Sequence, residues 1–156
     1  MSAIFKKLNL KDQDEILVVN APESFEPELG SLEGVTTKRN LDEVQTVAFS
    51  LAFVIRQDEL DTIARGIAEK TSEDAIVWFA YPKKSSKKFT SEINRDAGWA
   101  VLGELGFEPV RQVAIDEDWS AVRFRQVRFI KKMVRDESMA LSEEGKKKAG
   151  KSKDDK

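Results

Sequence analysis

One stretch decides the fold of this chain: the apolar run Ala75-Ile76-Val77-Trp78-Phe79-Ala80, then Tyr81-Pro82, then the polar loop Lys83-Lys84-Ser85-Ser86-Lys87-Lys88. An apolar run of this length predicts a strand. After the loop, Thr90 or Ser91 can cap a helix. The apolar face of that helix would consist of Ile93, Ala97, Ala100, Val101 and Leu105. The stretch therefore predicts a strand, a basic loop and a helix in succession.

The residues before this stretch predict a second buried strand and a connecting helix. Residues 46–55 are apolar nearly throughout, which favours a central strand. Residues 58–71 carry apolar side chains at helical spacing, and their first turn is acidic. The apolar positions are Leu60, Ile63, Ala64, Ile67 and Ala68. A strand, a helix and a strand in this order form a right-handed crossover between parallel strands.

A first strand is expected at residues 15–20, and a short extended piece at residues 35–37. The first strand is followed by Asn20-Ala21-Pro22-Glu23, where a nucleotide-binding α/β protein would carry glycines. Glycines let the backbone approach a pyrophosphate or a cofactor closely, whereas Pro22 and Glu23 add bulk and negative charge. We therefore expect neither a dinucleotide nor an ordinary methyltransferase cofactor at this turn, and we predict no cofactor.

An antiparallel hairpin is expected near the end of the domain. Its strands would be residues 110–115 and 119–125, joined by a two-residue turn at Glu117-Asp118. That register places Val113, Ile115, Val122 and Phe124 on one face, and Gln112, Asp116, Trp119, Arg123 and Arg125 on the other. Residues 127–135 could continue as strand or helix. We expect a single α/β domain at residues 1–135 and a disordered, lysine-rich tail at residues 136–156.

Composition narrows the possible chemistry. The 156 residues include no cysteine and no histidine, so thiol nucleophiles, serine–histidine triads and ordinary zinc sites are excluded for this chain. Asp116, Glu117 and Asp118 could ligate Mg²⁺, but a polar turn is favoured, because consecutive carboxylates do not converge on one point. We predict no metal site. Without a long apolar run or a signal-like start, the chain is expected to be cytoplasmic.

The predicted elements resemble the second half of many Rossmann-like methyltransferases. The expected fold class is accordingly α/β, a small, mostly parallel Rossmann-like sheet that ends in an antiparallel hairpin and lacks the glycine-rich loop. Phe79-Ala80-Tyr81-Pro82-Lys83-Lys84-Ser85-Ser86, Asn94-Arg95-Asp96 and residues 115–124, Ile-Asp-Glu-Asp-Trp-Ser-Ala-Val-Arg-Phe, resemble a family of small uncharacterised bacterial proteins, a domain of unknown function. That resemblance covers roughly residues 4–125. It implies no catalytic residues.

The basic loop is the candidate functional site. A helix start following four lysines would favour a bound anion, so we predict a binding module for an anionic or phosphorylated small molecule at the Lys83–Ser91 junction. The predicted contacts are Lys83, Lys84, Ser85 and Ser86, with Arg95 and Trp119 beside them. A solvated turn is the simpler interpretation of the same loop. Ser85 and Lys88 also fit the Ser-x-x-Lys pattern of serine acyl-enzymes, whose partner motifs are absent.

Two alternatives remain open. The chain could bind an acidic protein or RNA through the basic loop and tail. It could also be an enzyme that uses lysine and carboxylate groups, or a methyltransferase that binds its cofactor without glycines. We predict no catalytic residues, and a binding role is favoured over catalysis.

Overall fold

A six-stranded sheet forms the body of the protein. The computed structural model describes residues 3–94 and 97–130. The strands are β1 (Glu15–Val19), β2 (Thr36–Lys38), β3 (Val47–Phe53), β4 (Thr71–Pro82), β5 (Phe107–Ala114) and β6 (Trp119–Gln126). The α-helices are α1 (Ala3–Lys7), α2 (Glu26–Gly30), α3 (Gln57–Lys70) and α4 (Ala100–Glu104). Short 3₁₀ turns lie at Glu23–Phe25, Leu41–Glu43 and Val127–Phe129.

The sheet is parallel on one side and antiparallel on the other. Its strand order is β2-β1-β3-β4-β6-β5. The β1–β2, β1–β3 and β3–β4 pairs are parallel, whereas β6 runs antiparallel to both β4 and β5. Helix α3 connects β3 to β4 as the apolar periodicity predicts. The expected fold class, a mostly parallel Rossmann-like sheet ending in an antiparallel hairpin, is confirmed.

Two apolar layers hold helices against opposite faces of the sheet. Because β3 and β4 are central, alternate side chains of each strand enter different layers. Phe49, Leu51 and Trp78 pack on the face covered by α1 and α2. Ala52 and Phe79 pack on the other face, under α3 and α4. This double coverage explains why these two strands are apolar at nearly every position.

The helix predicted to begin at Thr90 or Ser91 is not formed. Ser91 Oγ instead donates to Ile55 O at 3.0 Å, and the Glu92 carboxylate accepts from the backbone N–H of Gln57 at 2.9 Å. These bonds tie the segment to the β3–α3 junction in an irregular conformation. Gly98 has a φ of +104°, a value that does not occur in a right-handed helix. Helix α4 begins only at Ala100 and has five residues.

The hairpin register differs by one residue from the prediction. Ala114 pairs with Ser120, so the connection is the four-residue segment 115–118 rather than a two-residue Glu117-Asp118 turn. A shift of one residue moves side chains to the opposite face. Val113 consequently lies in the α1–α2 layer, whereas Val122 and Phe124 lie in the α3–α4 layer. The predicted grouping of Val113 and Ile115 with Val122 and Phe124 is therefore wrong.

Several predictions fall on residues that the structure does not describe. The expected tail at residues 136–156 and the continuation through residues 131–135 lie outside the described ranges. Residues 127–129 form a 3₁₀ turn. In the described part of the chain, no helix combines the length and apolar character needed to cross a bilayer.

We predict that Gly98→Ala destabilises the fold by about 1–2 kcal/mol, because a side chain is strained at a positive φ. The added Cβ would also lie 3.2 Å from the side chains of Ile93 and Gln57. Gly30→Ala is the matched control, since a Cβ there meets nothing within 4 Å; its effect should stay within about 0.5 kcal/mol. Denaturant melts measure both, and equal stabilities for the two variants would contradict this account of Gly98.

Candidate functional site

Three loops meet at the carboxyl edge of the parallel strands. Residues 20–24 follow β1, and residues 83–89 follow β4. Because β6 runs antiparallel to β4, Trp119 pairs with Pro82, and the hairpin turn 115–118 comes to the same edge. Strands β2 and β3 flank β1 on opposite sides, so the chain reverses its winding direction beside β1. In open α/β sheets, ligands bind at such a switch point.

A cavity of about 380 Å³ lies between these loops. Its lining residues are Pro22, Glu23, Ser24, Lys88, Phe89 and Asp118. The volume falls within the usual range for small-molecule sites, about 300–1,000 Å³. Two carboxylates and one ammonium group line it, which leaves the lining formally negative by one charge. The lining is thus slightly acidic, although the loop that contributes Lys88 is rich in lysine.

A row of four aromatic rings connects the two walls of the cavity. Phe25 contacts Phe53 with ring centroids 5.0 Å apart, and Phe53 contacts Trp119 at 5.1 Å. Trp119 in turn contacts Phe89, which lines the cavity, at 5.0 Å. Trp119 is only 3% exposed, so Phe89 packs against a buried ring. The row fixes the spacing between the segment after β1 and the loop after β4.

The chain turns after β1 at a positive φ, a conformation that glycine usually provides, but the residue there is Asn20. Asn20 has a φ of +59°, a left-handed conformation that asparagine tolerates better than most residues. Its side-chain amide makes a long hydrogen bond of 3.5 Å to Phe53 O on the neighbouring strand. The chain therefore turns sharply at the end of β1, and Pro22 leads directly into the Glu23–Phe25 turn.

The predicted site residues do not converge on the cavity. Lys83 is half-buried, with its N–H bonded to Asp118 O at 2.8 Å, while Lys84 and Ser85 are exposed. Ser86 Oγ donates to the Asp118 carboxylate at 2.9 Å. These four residues and Trp119 do not line the cavity. Arg95 lies outside the described residues.

The cavity residues that the sequence analysis missed carried weak signals. Phe89 is an apolar residue directly after a basic loop, and Glu23 follows a proline in a turn. Asn20, at the end of a buried strand, is the one clear signal, because asparagine frequently replaces glycine at a positive φ. Lys88 was part of the quoted loop but not one of the predicted contacts.

The acidic hairpin turn has a structural role in the geometry. One oxygen of Asp116 accepts from the N–H groups of Asp118 and Trp119, at 2.8 and 2.9 Å. Among the described residues, no group of three or more acidic side chains is arranged to hold a metal ion. Asp116 therefore shapes the turn that presents Asp118 to the cavity.

Solved structures share this fold. A SAM-dependent methyltransferase from Aquifex aeolicus aligns with a TM-score of 0.53 and 15% identity over 78% of this chain and 87% of its own. N-methyltransferase NodS from Bradyrhizobium japonicum WM9 gives 0.51 and 10% identity over 78% and 91%. Mitomycin 7-O-methyltransferase MmcR gives 0.56 and 10% identity over 79% and 52%.

These similarities show that the chain has the α/β fold of S-adenosylmethionine-dependent methyltransferases. At 10–15% identity they concern the fold alone. No protein-family model matches the chain, and a comparison with curated proteins also gave no match.

The predicted partners, an anionic small molecule or an acidic protein or RNA bound through the basic loop and tail, are wrong. The structural neighbours with this fold are methyltransferases, one of them described as SAM-dependent. The local geometry agrees, because no helix begins within residues 83–94, so this described segment provides no helical N–H groups beside the lysines. The hydroxyl of Ser86 is also already bonded within the protein.

We predict that Asn20→Gly leaves stability within about 0.5 kcal/mol of the wild type, because glycine adopts a positive φ freely. Asn20→Val should cost about 1–2 kcal/mol, since left-handed backbone is strained for a branched residue. Asn20 is exposed, so the difference in stability between the two variants does not reflect a change in buried apolar area. Thermal or urea melts of the two variants provide the test, and a valine variant as stable as the glycine variant would refute it.

Proposed function

We propose that the chain binds S-adenosylmethionine, or a close cationic adenosyl compound, in the cavity at the carboxyl edge of its sheet. The observation that carries the proposal is the composition of the cavity lining, which contains two carboxylates, Glu23 and Asp118, and one ammonium group, that of Lys88. S-adenosylmethionine is a net cation through its sulfonium and ammonium groups. A phosphorylated ligand would meet net repulsion from the same lining.

The position of the cavity also supports an adenosyl ligand. It lies beside β1 at the switch point of a fold shared with methyltransferases. Asn20 provides the sharp turn after β1, so the missing glycines do not prevent a close approach to this edge. The bulk of Pro22 and the charge of Glu23 remain at this turn, and the proposal requires a ligand that a carboxylate can attract.

The lining residues offer distinct contacts for the parts of such a ligand. The half-buried ring of Phe89 offers an apolar face against which a purine can stack. The carboxylate of Glu23 can accept hydrogen bonds from ribose hydroxyls or from an ammonium group. Lys88 can pair with the ligand's carboxylate. The residues present therefore fit the group.

When bound, S-adenosylmethionine supplies an electrophilic methyl group on a sulfonium ion. This chain's own contribution would be electrostatic and positional. Glu23 and Asp118 would stabilise positive charge, and the aromatic row from Phe25 to Phe89 would keep the walls at a fixed spacing. Histidine and cysteine are absent from the chain, so the ionisable groups of the lining are the carboxylates of Glu23 and Asp118 and the ammonium group of Lys88.

The test is calorimetric titration with S-adenosylmethionine, S-adenosylhomocysteine and ATP. We expect the cationic compound to bind more tightly than neutral S-adenosylhomocysteine, and ATP not to bind. Glu23→Gln should reduce the ratio of the affinities for S-adenosylmethionine and S-adenosylhomocysteine by about two- to fivefold, the usual size of an exposed charge interaction. The preference should also weaken at higher ionic strength.

Glu33→Gln is the matched control, because Glu33 is also an exposed glutamate but does not line the cavity. It should leave all three affinities unchanged. Binding of ATP with no binding of either adenosyl compound would overturn the proposal. Equal effects of Glu23→Gln and Glu33→Gln would show that the carboxylate of Glu23 does not contact the ligand.

A further inference from the structure

Ser86 joins the two loops that form one wall of the cavity. Its hydroxyl donates to Asp118 Oδ1 at 2.9 Å and accepts from the backbone N–H groups of Phe89 and Lys88, at 3.2 and 3.3 Å. A serine hydroxyl has one proton to donate and two lone pairs. All three are used within the protein, so Ser86 has no capacity left for a direct ligand contact.

The groups bonded to Ser86 all belong to cavity residues. Asp118, Lys88 and Phe89 make up half of the lining, and they come from two loops that are distant in sequence. Asp118 is itself held by the Asp116 carboxylate at 2.8 Å and through Lys83 N–H, which donates to its carbonyl at 2.8 Å. A chain of hydrogen bonds thus runs from the hairpin turn through Ser86 to the backbone of Phe89.

Regular secondary structure does not hold the loop in place. Residues 83–89 lie between β4 and the irregular segment before α4, and no helix or strand includes them. The ring of Phe89 contacts Trp119, and this contact holds the side chain of Phe89, whereas the Ser86 hydroxyl bonds to the backbone of the loop. Backbone bonds between Lys83 and Asp118 and between Ser86 and Lys83 hold the start of the loop. The bonds that the Ser86 hydroxyl accepts hold the backbone of Lys88 and Phe89.

We infer that Ser86 is a positioning residue of the cavity, which sets the placement of Phe89 and Lys88 without touching the ligand. Its effect on affinity rests on the proposed function, whereas its effect on the loop backbone does not. The neighbouring Ser85 is exposed and provides a matched control in the same loop. Ser86→Thr keeps the hydroxyl and provides the rescue.

The loop backbone is tested first, without ligand, by solvent exchange of individual amides in NMR spectra. In Ser86→Ala the Phe89 and Lys88 amides should exchange about three- to tenfold faster, because each loses its acceptor. Ser86→Thr should restore the wild-type rates, and Ser85→Ala should not change them. Unchanged exchange of both amides in Ser86→Ala would overturn the inference, whatever the ligand.

Affinity is tested second, by titration of the same variants with S-adenosylmethionine. Ser86→Ala should bind about three- to tenfold more weakly at an unchanged melting temperature, with recovery in Ser86→Thr. A lower melting temperature with unchanged affinity would show a merely structural role and overturn the inference. If the wild type does not bind S-adenosylmethionine, the proposed function fails, and the amide measurement alone decides the role of Ser86.

Discussion

The pairing of β6 with β4 is the interaction on which the candidate site at the carboxyl edge of the sheet depends. Pro82 lies opposite Trp119, so the last residue of β4 and the first residue of β6 meet at the carboxyl edge of the parallel strands. The basic loop and the hairpin turn are thereby brought side by side. Without that pairing, Ser86 could not reach Asp118, and the cavity would lack one wall.

The same pairing places Trp119 at the centre of the aromatic row. Phe53 at the end of β3 and Phe89 after β4 both contact its ring. Aromatic contacts of this kind stabilise by about 0.5–1.5 kcal/mol each beyond the area that they bury. The row therefore packs behind the cavity and links Phe89, which lines it, to buried rings of the core.

Charge distinguishes the cavity from the loop beside it. The lysines that dominate the sequence of the loop lie mostly outside the cavity, while Glu23 and Asp118 line it. The run of lysines along the chain therefore did not predict the net charge of the residues that line the cavity. The net charge of a cavity lining depends on which side chains line it, and those side chains can come from segments that are distant in sequence.

The sequence by itself determined the strands and the long helix, because apolar periodicity is a local property of the chain. Local patterns were enough to predict the two central strands, the apolar face of α3 and the short extended piece near Val35. Tertiary structure decided the rest. Strand β6 pairs with β4 as well as with β5, so the hairpin is not an isolated local unit. Ser91 and Glu92 are held out of a helix by bonds to the β3–α3 junction. The cavity joins residues from three loops, whose meeting no local pattern encodes, because it depends on which strands are neighbours in the sheet.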